Sequence, residues 1–126
     1  MNENQLATEV IGASIEVHRA LGPGLLEKVY QECLAYKLIQ KGFFVEKELA
    51  IPVVFEGVQL DCGFRIDLLI EQKLVVEIKS VSELHDIHLS QVLTYLKLGK
   101  FELGLLINFK VQLLKHGVQR VILSKK

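Results

Sequence analysis

Cysteine is scarce in this chain of 126 residues, which has only Cys33 and Cys62. Neither belongs to a Cys-x-x-Cys pair or stands at zinc spacing from a histidine pair, which argues against a zinc module. Both are expected to be buried, reduced thiols rather than a disulfide. Net charge is also missing, because fifteen Lys and Arg balance fifteen Asp and Glu. The molecule as a whole is therefore no general binder of polyanions. No apolar run approaches the roughly 18 residues of a membrane span. The opening Met1-Asn2-Glu3-Asn4-Gln5 lacks the basic and apolar regions of a signal peptide, so a cytoplasmic protein is expected. Repeats, low-complexity segments and linkers are absent too. One domain over residues 1–126 is expected, long enough to build a core.

What is abundant is apolar side chain. Half the residues are hydrophobic, and mean hydropathy is +0.32. A well-filled core is implied, and some apolar surface could be covered in a homodimer. Charge is uneven along the chain. From Lys97 onward, Lys97, Lys100, Lys110, Lys115, Arg120, Lys125 and Lys126 face Glu102 alone. That half could supply phosphate contacts, or be an ordinary solvated surface.

Periodicity predicts a helix over Leu6–Leu21, ended by Gly22-Pro23-Gly24, and a second over about Leu25–Lys41, ended by Gly42. The apolar stripe of the second helix is expected to be Leu26, Val29, Tyr30, Cys33, Leu34 and Leu38. Strands are expected over Phe43–Phe55, with Pro52 at a bulge or edge, over Val58–Ile70, irregular at Gly63, and over Leu74–Ser80. A third helix is expected to start after a cap at Ser82 or Asp86 and to end at Gly99. Strands over Leu103–Phe109 and Val118–Leu123 complete an α-α-β-β-β-α-β-β order, a small α/β sandwich with a mixed sheet.

Charge on apolar strands needs a reason, because burying an unpaired carboxylate is costly. Arg65-Ile66-Asp67-Leu68-Leu69-Ile70 carries one acid, and Leu74-Val75-Val76-Glu77-Ile78-Lys79-Ser80 carries an acid and a lysine. A hairpin centred near Gln72 sets Asp67 opposite Glu77, where side chains stand about 5 Å apart at Cβ. Two carboxylates that close repel unless one is protonated or a cation lies between them. Mg2+ or Mn2+, hard ions that prefer oxygen, suit such a pair. Lys79 shares the face of Glu77 and can offset charge at a phosphorus transition state. The alternative is a salt bridge of Asp67 or Glu77 with Lys79 or Arg65. Asp61 competes with Asp67, which is preferred for its apolar strand.

On the third helix Gln91 and Tyr95 stand at i, i+4, with His88 one turn earlier. This row lies off the Leu89, Val92, Leu93, Leu96 stripe and could face the same pocket. His85 and His88 alone are a weak zinc pair. Gly22-Pro23-Gly24 lacks the ending of a P-loop. Glu27, in the first turn of the second helix, is also explained by the helix dipole.

Gly24-Leu25-Leu26-Glu27-Lys28-Val29-Tyr30 resembles the GxxExxY signature of a family of small bacterial and archaeal proteins. That family is assigned to the PD-(D/E)xK nuclease superfamily, with a restriction-endonuclease-like core. The similarity runs from about Ile11 to Arg120 and includes the Asp67, Glu77 and Lys79 strands, Gln91–Leu98 and Gly104–Phe109. It implies a role for each matching residue. Asp67 and Glu77 would be metal ligands, the Ile78 carbonyl a third, and Glu27 the helical acid completing the shell. Lys79 would be the catalytic lysine. Gln91 and Tyr95 match the QxxxY motif of RecB-like nucleases and would orient the active site or the nucleic acid. The leading expectation is a Mg2+- or Mn2+-dependent nuclease, with DNA the favoured substrate. A non-catalytic module binding nucleic acid or protein is the alternative, and hydrolysis of a small phosphate ester is a remote third.

Overall fold

The computed structural model describes residues 1–123. A five-stranded mixed sheet lies between two helices on one face and one helix on the other, as a restriction-endonuclease-like core requires. The elements are α1 (Glu3–Leu21), α2 (Glu27–Gln40), β1 (Val45–Ala50), β2 (Val53–Phe55), β3 (Val58–Leu60), β4 (Arg65–Ile70), β5 (Leu74–Lys79), α3 (Asp86–Gly99), β6 (Leu103–Asn108) and β7 (Val118–Ile122). A single 3-10 turn, Leu114–His116, precedes β7.

Helix boundaries follow local chemistry. Asn2 accepts from the Gln5 N–H at 2.8 Å, and the Gln5 side chain accepts from the Asn2 N–H at 2.9 Å. This reciprocal cap starts α1 three residues earlier than its apolar stripe suggests. Gly22 ends α1 at φ 75°. His85, rather than Ser82 or Asp86, precedes α3.

The main sheet runs β1-β4-β5-β6-β7, and only the β5–β6 pair is parallel. Two long strands expected from the sequence divide. Pro52, which has no N–H to donate, separates β1 from β2. Gly63, at φ 79°, separates β3 from β4. β2 and β3 therefore leave the main sheet and pair only with each other, as an arm beyond the last tie from the Ile51 N–H to Phe64 O.

Alternating strand residues feed two cores. Leu68, Ile70, Leu74, Val76, Ile78, Leu105 and Ile107 pack under α1 and α2. Leu69, Val75, Leu106 and Val121 pack under Val92, Tyr95 and Leu96 of α3. Burying one such leucine stabilises by about 2–5 kcal/mol as judged by truncation to alanine. α3 lies so close to the sheet that a Cβ at Gly104 would meet Val92 Cγ1 at 2.8 Å. On α2 the buried row is Tyr30, Gln31, Leu34, Ala35 and Leu38, so Leu26 and Val29 of the expected stripe are exposed instead. Cys33 is half-buried and Cys62 is exposed, which corrects the expectation of two buried thiols. Cys62 lies in the linker from β3 to β4, away from either core.

Candidate active site

β4 and β5 pair through Leu68↔Val76, Leu69↔Val75 and Ile70↔Leu74. The same register carried one step further sets Asp67 opposite Glu77, as the hairpin count anticipates. The backbone ladder stops there and side chains take over. The Ile78 N–H donates to Asp67 Oδ2 at 2.8 Å, and the Asp67 N–H donates to Glu77 Oε1 at 3.4 Å. Strand alternation also breaks at Asp67. Ile66 and Leu69 both pack under α3, whereas Leu68 packs under the other two helices. Across from Asp67, Glu48 of β1 has φ 51°, a left-handed conformation that distorts the edge strand at this point. Its carboxylate turns to Lys28 and Gln31 on α2.

The two facing acids are poorly neutralised. Glu77 is 4% exposed. Burial first, and then the charge of Asp67, pushes its carboxyl up to about 8, against the pull of Lys79. Burial also raises Asp67, opposed chiefly by the Ile78 N–H. The Lys79 Nζ stands 3.7 Å from Glu77 Oε2 and is the one cation within ion-pair distance of the pair among the described residues. Arg65 pairs with Asp61 at 3.4 Å instead. With Arg65 turned to Asp61 and Lys79 alone near Glu77, Asp67 has no ion-pair partner among the described residues, which leaves the interstrand salt bridge incomplete.

The donor chemistry fits a hard divalent cation. Asp67 and Glu77 offer carboxylate oxygens. In an antiparallel strand the N–H and C=O of one residue point to the same neighbour, so the Ile78 carbonyl faces the Asp67 side, beyond the end of the ladder. Mg2+ commonly takes only one or two protein carboxylates and completes its shell with water and phosphate. Among the described residues no group of three or more His, Cys, Asp and Glu side chains gathers at metal-holding geometry. Glu27 therefore stands beside the acid pair rather than within one tight cluster.

Glu27 is nonetheless delivered to this end of the sheet. It is the first residue of α2, and its Oε2 accepts from the Ser80 N–H at 3.3 Å, just beyond Lys79. The Ser80 hydroxyl donates to Leu25 O at 2.7 Å. Tyr30 holds the preceding turn: its hydroxyl donates to Gly22 O and accepts from the Leu25 N–H. Its ring stacks on Phe109, with centroids 4.3 Å apart. Asn108, 3% exposed at the end of β6, bonds Val81 N–H and O at 3.1 and 2.9 Å and the Lys110 N–H at 3.2 Å. It ties the loop after β5 to the loop after β6. Sequence reasoning gave Ser80 and Asn108 no role and read Tyr30 as core. The one available signal was a polar residue ending each apolar strand.

On α3, Gln91 Nε2 donates to the Tyr95 hydroxyl at 3.1 Å. Tyr95 is raised by burial and by the charge of Glu77, so its hydroxyl lies within the field of the acid pair. The tyrosine is also core, 3% exposed and edge-on to Phe64. His88 lines a cavity with Gln91, and His85 is an exposed residue at the helix start. Asp61 lies outside the site, exposed and bound to Arg65 and the Gly63 N–H.

The cations of the C-terminal half do not form one patch. Lys110 and Lys115 follow β6, at the same end of the sheet as Lys79. Lys97 and Lys100 lie at the far end of α3, and Arg120 bonds Asn4. Lys125 and Lys126 are outside the described residues.

The family model of the PD-(D/E)XK nuclease superfamily matches residues 4–121. No curated protein and no solved structure matches the chain.

Proposed function

The chain belongs to the PD-(D/E)XK nuclease superfamily, and from that premise we propose that it hydrolyses phosphodiester bonds in nucleic acid, DNA first among them, with Mg2+ or Mn2+ as cofactor. Nucleases of this superfamily generally use divalent metals. The observation that carries the reading is the pair of half-buried Asp67 and buried Glu77, both raised in pKa and faced, among the described residues, by a single lysine. Asp67, Glu77 and the Ile78 carbonyl would hold the ion, with Glu27 completing its outer surroundings. A bound divalent ion supplies Lewis-acid charge to the phosphate and acidity to the attacking water. Lys79 donates to a phosphate oxygen and stabilises charge that grows in the transition state. Glu27 accepts a proton from water as its oxygen attacks phosphorus and the bond to the departing ester oxygen breaks. Gln91 holds the Tyr95 hydroxyl, which lies within the field of Glu77. The Gly24–Tyr30 motif supports placement in the GxxExxY family.

Residues 1–126 act as one domain in this reading. The arm of β2 and β3 supports a homodimer. Val54, Phe55, Val58 and Leu60 are exposed on it. Its only charges are Glu56 and Asp61, which suits a protein contact better than a phosphate one.

The test is calorimetric titration of Mn2+ into wild type and Asp67→Ala, followed by cleavage assays on DNA and RNA. Binding and cleavage by wild type that vanish in Asp67→Ala and Glu77→Ala are expected. Full activity in both purified, folded variants rejects the site.

A further inference from the structure

A cavity of about 350 Å³ opens along α3, lined by Phe64, Ile87, His88, Ser90, Gln91 and Thr94. Gln91 of its wall bonds Tyr95 and Phe64 of its wall lies edge-on to the Tyr95 ring, and the Tyr95 hydroxyl feels the charge of Glu77, so Tyr95 links the cavity to the acid pair. Among the described residues no Lys, Arg, Asp or Glu lines it. That lining offers a phosphate no cationic partner.

Its polar groups are few and defined. His88 Nδ1 accepts from the His85 N–H at 2.9 Å. The neutral imidazole therefore carries its proton on Nε2, a donor. Gln91 commits Nε2 to Tyr95 and keeps Oε1 as an acceptor. Phe64 supplies an aromatic ring and Ile87, 71% exposed, an aliphatic wall. An uncharged planar heterocycle with donor and acceptor edges matches this lining.

We propose that this cavity receives an unstacked nucleobase next to the phosphate being cut, which makes unpaired nucleic acid the substrate class. A base enters only when it is free of its partner and its stack, as in a single strand, an end or a flap. The inference rests on the nuclease reading for the identity of the strand, but its test does not depend on cleavage.

The probe is a ten-nucleotide single strand carrying 2-aminopurine, compared with its duplex, an abasic version and free 2-aminopurine riboside monophosphate. Asp67→Asn protein is used so that the probe stays intact. Ile87, Ser90 and Thr94 are exposed on α3, so changes there leave the core alone. Thr94→Trp fills the cavity and Ile87→Ala removes one wall. The single strand is expected to bind more tightly than the duplex and the abasic strand, with a change in 2-aminopurine emission. Thr94→Trp is expected to weaken it about tenfold or more, the scale of one lost stacking contact. Ile87→Ala is expected to weaken it less. Unchanged binding and emission in both variants, equal binding of strand and duplex, or equal binding of the free monophosphate, overturns the proposal. Wild-type cleavage with a cavity insensitive to Thr94→Trp rejects the cavity and keeps the nuclease. Strand binding that Thr94→Trp abolishes, without wild-type cleavage of any substrate, keeps the cavity and rejects the nuclease.

Discussion

Glu77 makes the metal-free protein a pH-dependent fold. Its carboxyl moves from an ordinary 4.5 to about 8 because ionisation leaves a charge buried beside Asp67. Between those values the folded protein keeps a proton that the unfolded chain has released. The folded state then binds more protons, so stability falls as pH rises. It is full below about 4.5 for this group and is lost as pH passes about 8. The integrated effect is on the order of 5 kcal/mol, since each tenfold change in proton affinity is worth about 1.4 kcal/mol. Asp67 is shifted the same way and adds to it. Unfolding by urea, in EDTA at pH 5.5 and pH 8.5, reads the difference directly. A loss of several kcal/mol at the higher pH is expected, with a drop in Tm on the order of 10 °C. Glu77→Gln has no charge to develop there and is expected to flatten the profile, becoming the more stable protein at pH 8.5. Saturating Mn2+ is expected to restore wild type at pH 8.5 and to leave Glu77→Gln little changed. Wild-type stability that is level or rising over this range, or a Glu77→Gln profile parallel to it, refutes the reasoning.

Tyr30→Phe keeps the stack on Phe109 and loses both hydroxyl bonds to the Gly22–Leu25 turn. It should cost about 1–3 kcal/mol in urea unfolding and lower kcat through Glu27, with Mn2+ affinity at Asp67 retained. Asn108→Ala removes three bonds from a buried side chain and should destabilise by about 2–4 kcal/mol, with faster amide exchange at Val81 and Lys110. Arg19 and Lys115 line a second cavity, of about 360 Å³, at this end of the fold. Among the described residues neither holds an acidic partner. Arg19→Ala with Lys115→Ala should weaken DNA binding and reduce its salt slope by about 1 per cation that contacts a phosphate. An unchanged slope removes them from the path of the strand.

The fold was legible wherever one period dominated. α1, β5 and β6 carry strong apolar patterns, and the hairpin between β4 and β5 has a loop short enough to fix its register by counting. The expected stripe on α2 holds at Tyr30, Leu34 and Leu38 and fails at Leu26 and Val29, because apolar residues surround the helix on most sides. Tertiary contact with the sheet, which periodicity does not contain, chose Tyr30, Leu34 and Leu38 over Leu26 and Val29. The division of the long strands at Pro52 and Gly63 was visible only as irregularity. Whether a strand bends or changes sheet is decided by what lies beyond its last hydrogen bond.

The candidate site shows the same division more sharply. Asp67, Glu77 and Lys79 were visible because a charge on an apolar strand is expensive, and an expensive residue stands out in the sequence. Ser80, Asn108 and the Tyr30 hydroxyl carry no charge and break no period. They bring the elements together through partners 27 to 55 positions away, and through the turn that Tyr30 closes. These bonds bring the start of α2, the end of β5 and the end of β6 together, and so fix where Glu27 stands relative to the acid pair. The charged residues thus state what chemistry the site can do, while the neutral ones set its geometry. A change at Tyr30 or Asn108 should alter rate before it alters metal binding, and a change at Asp67 should abolish both together.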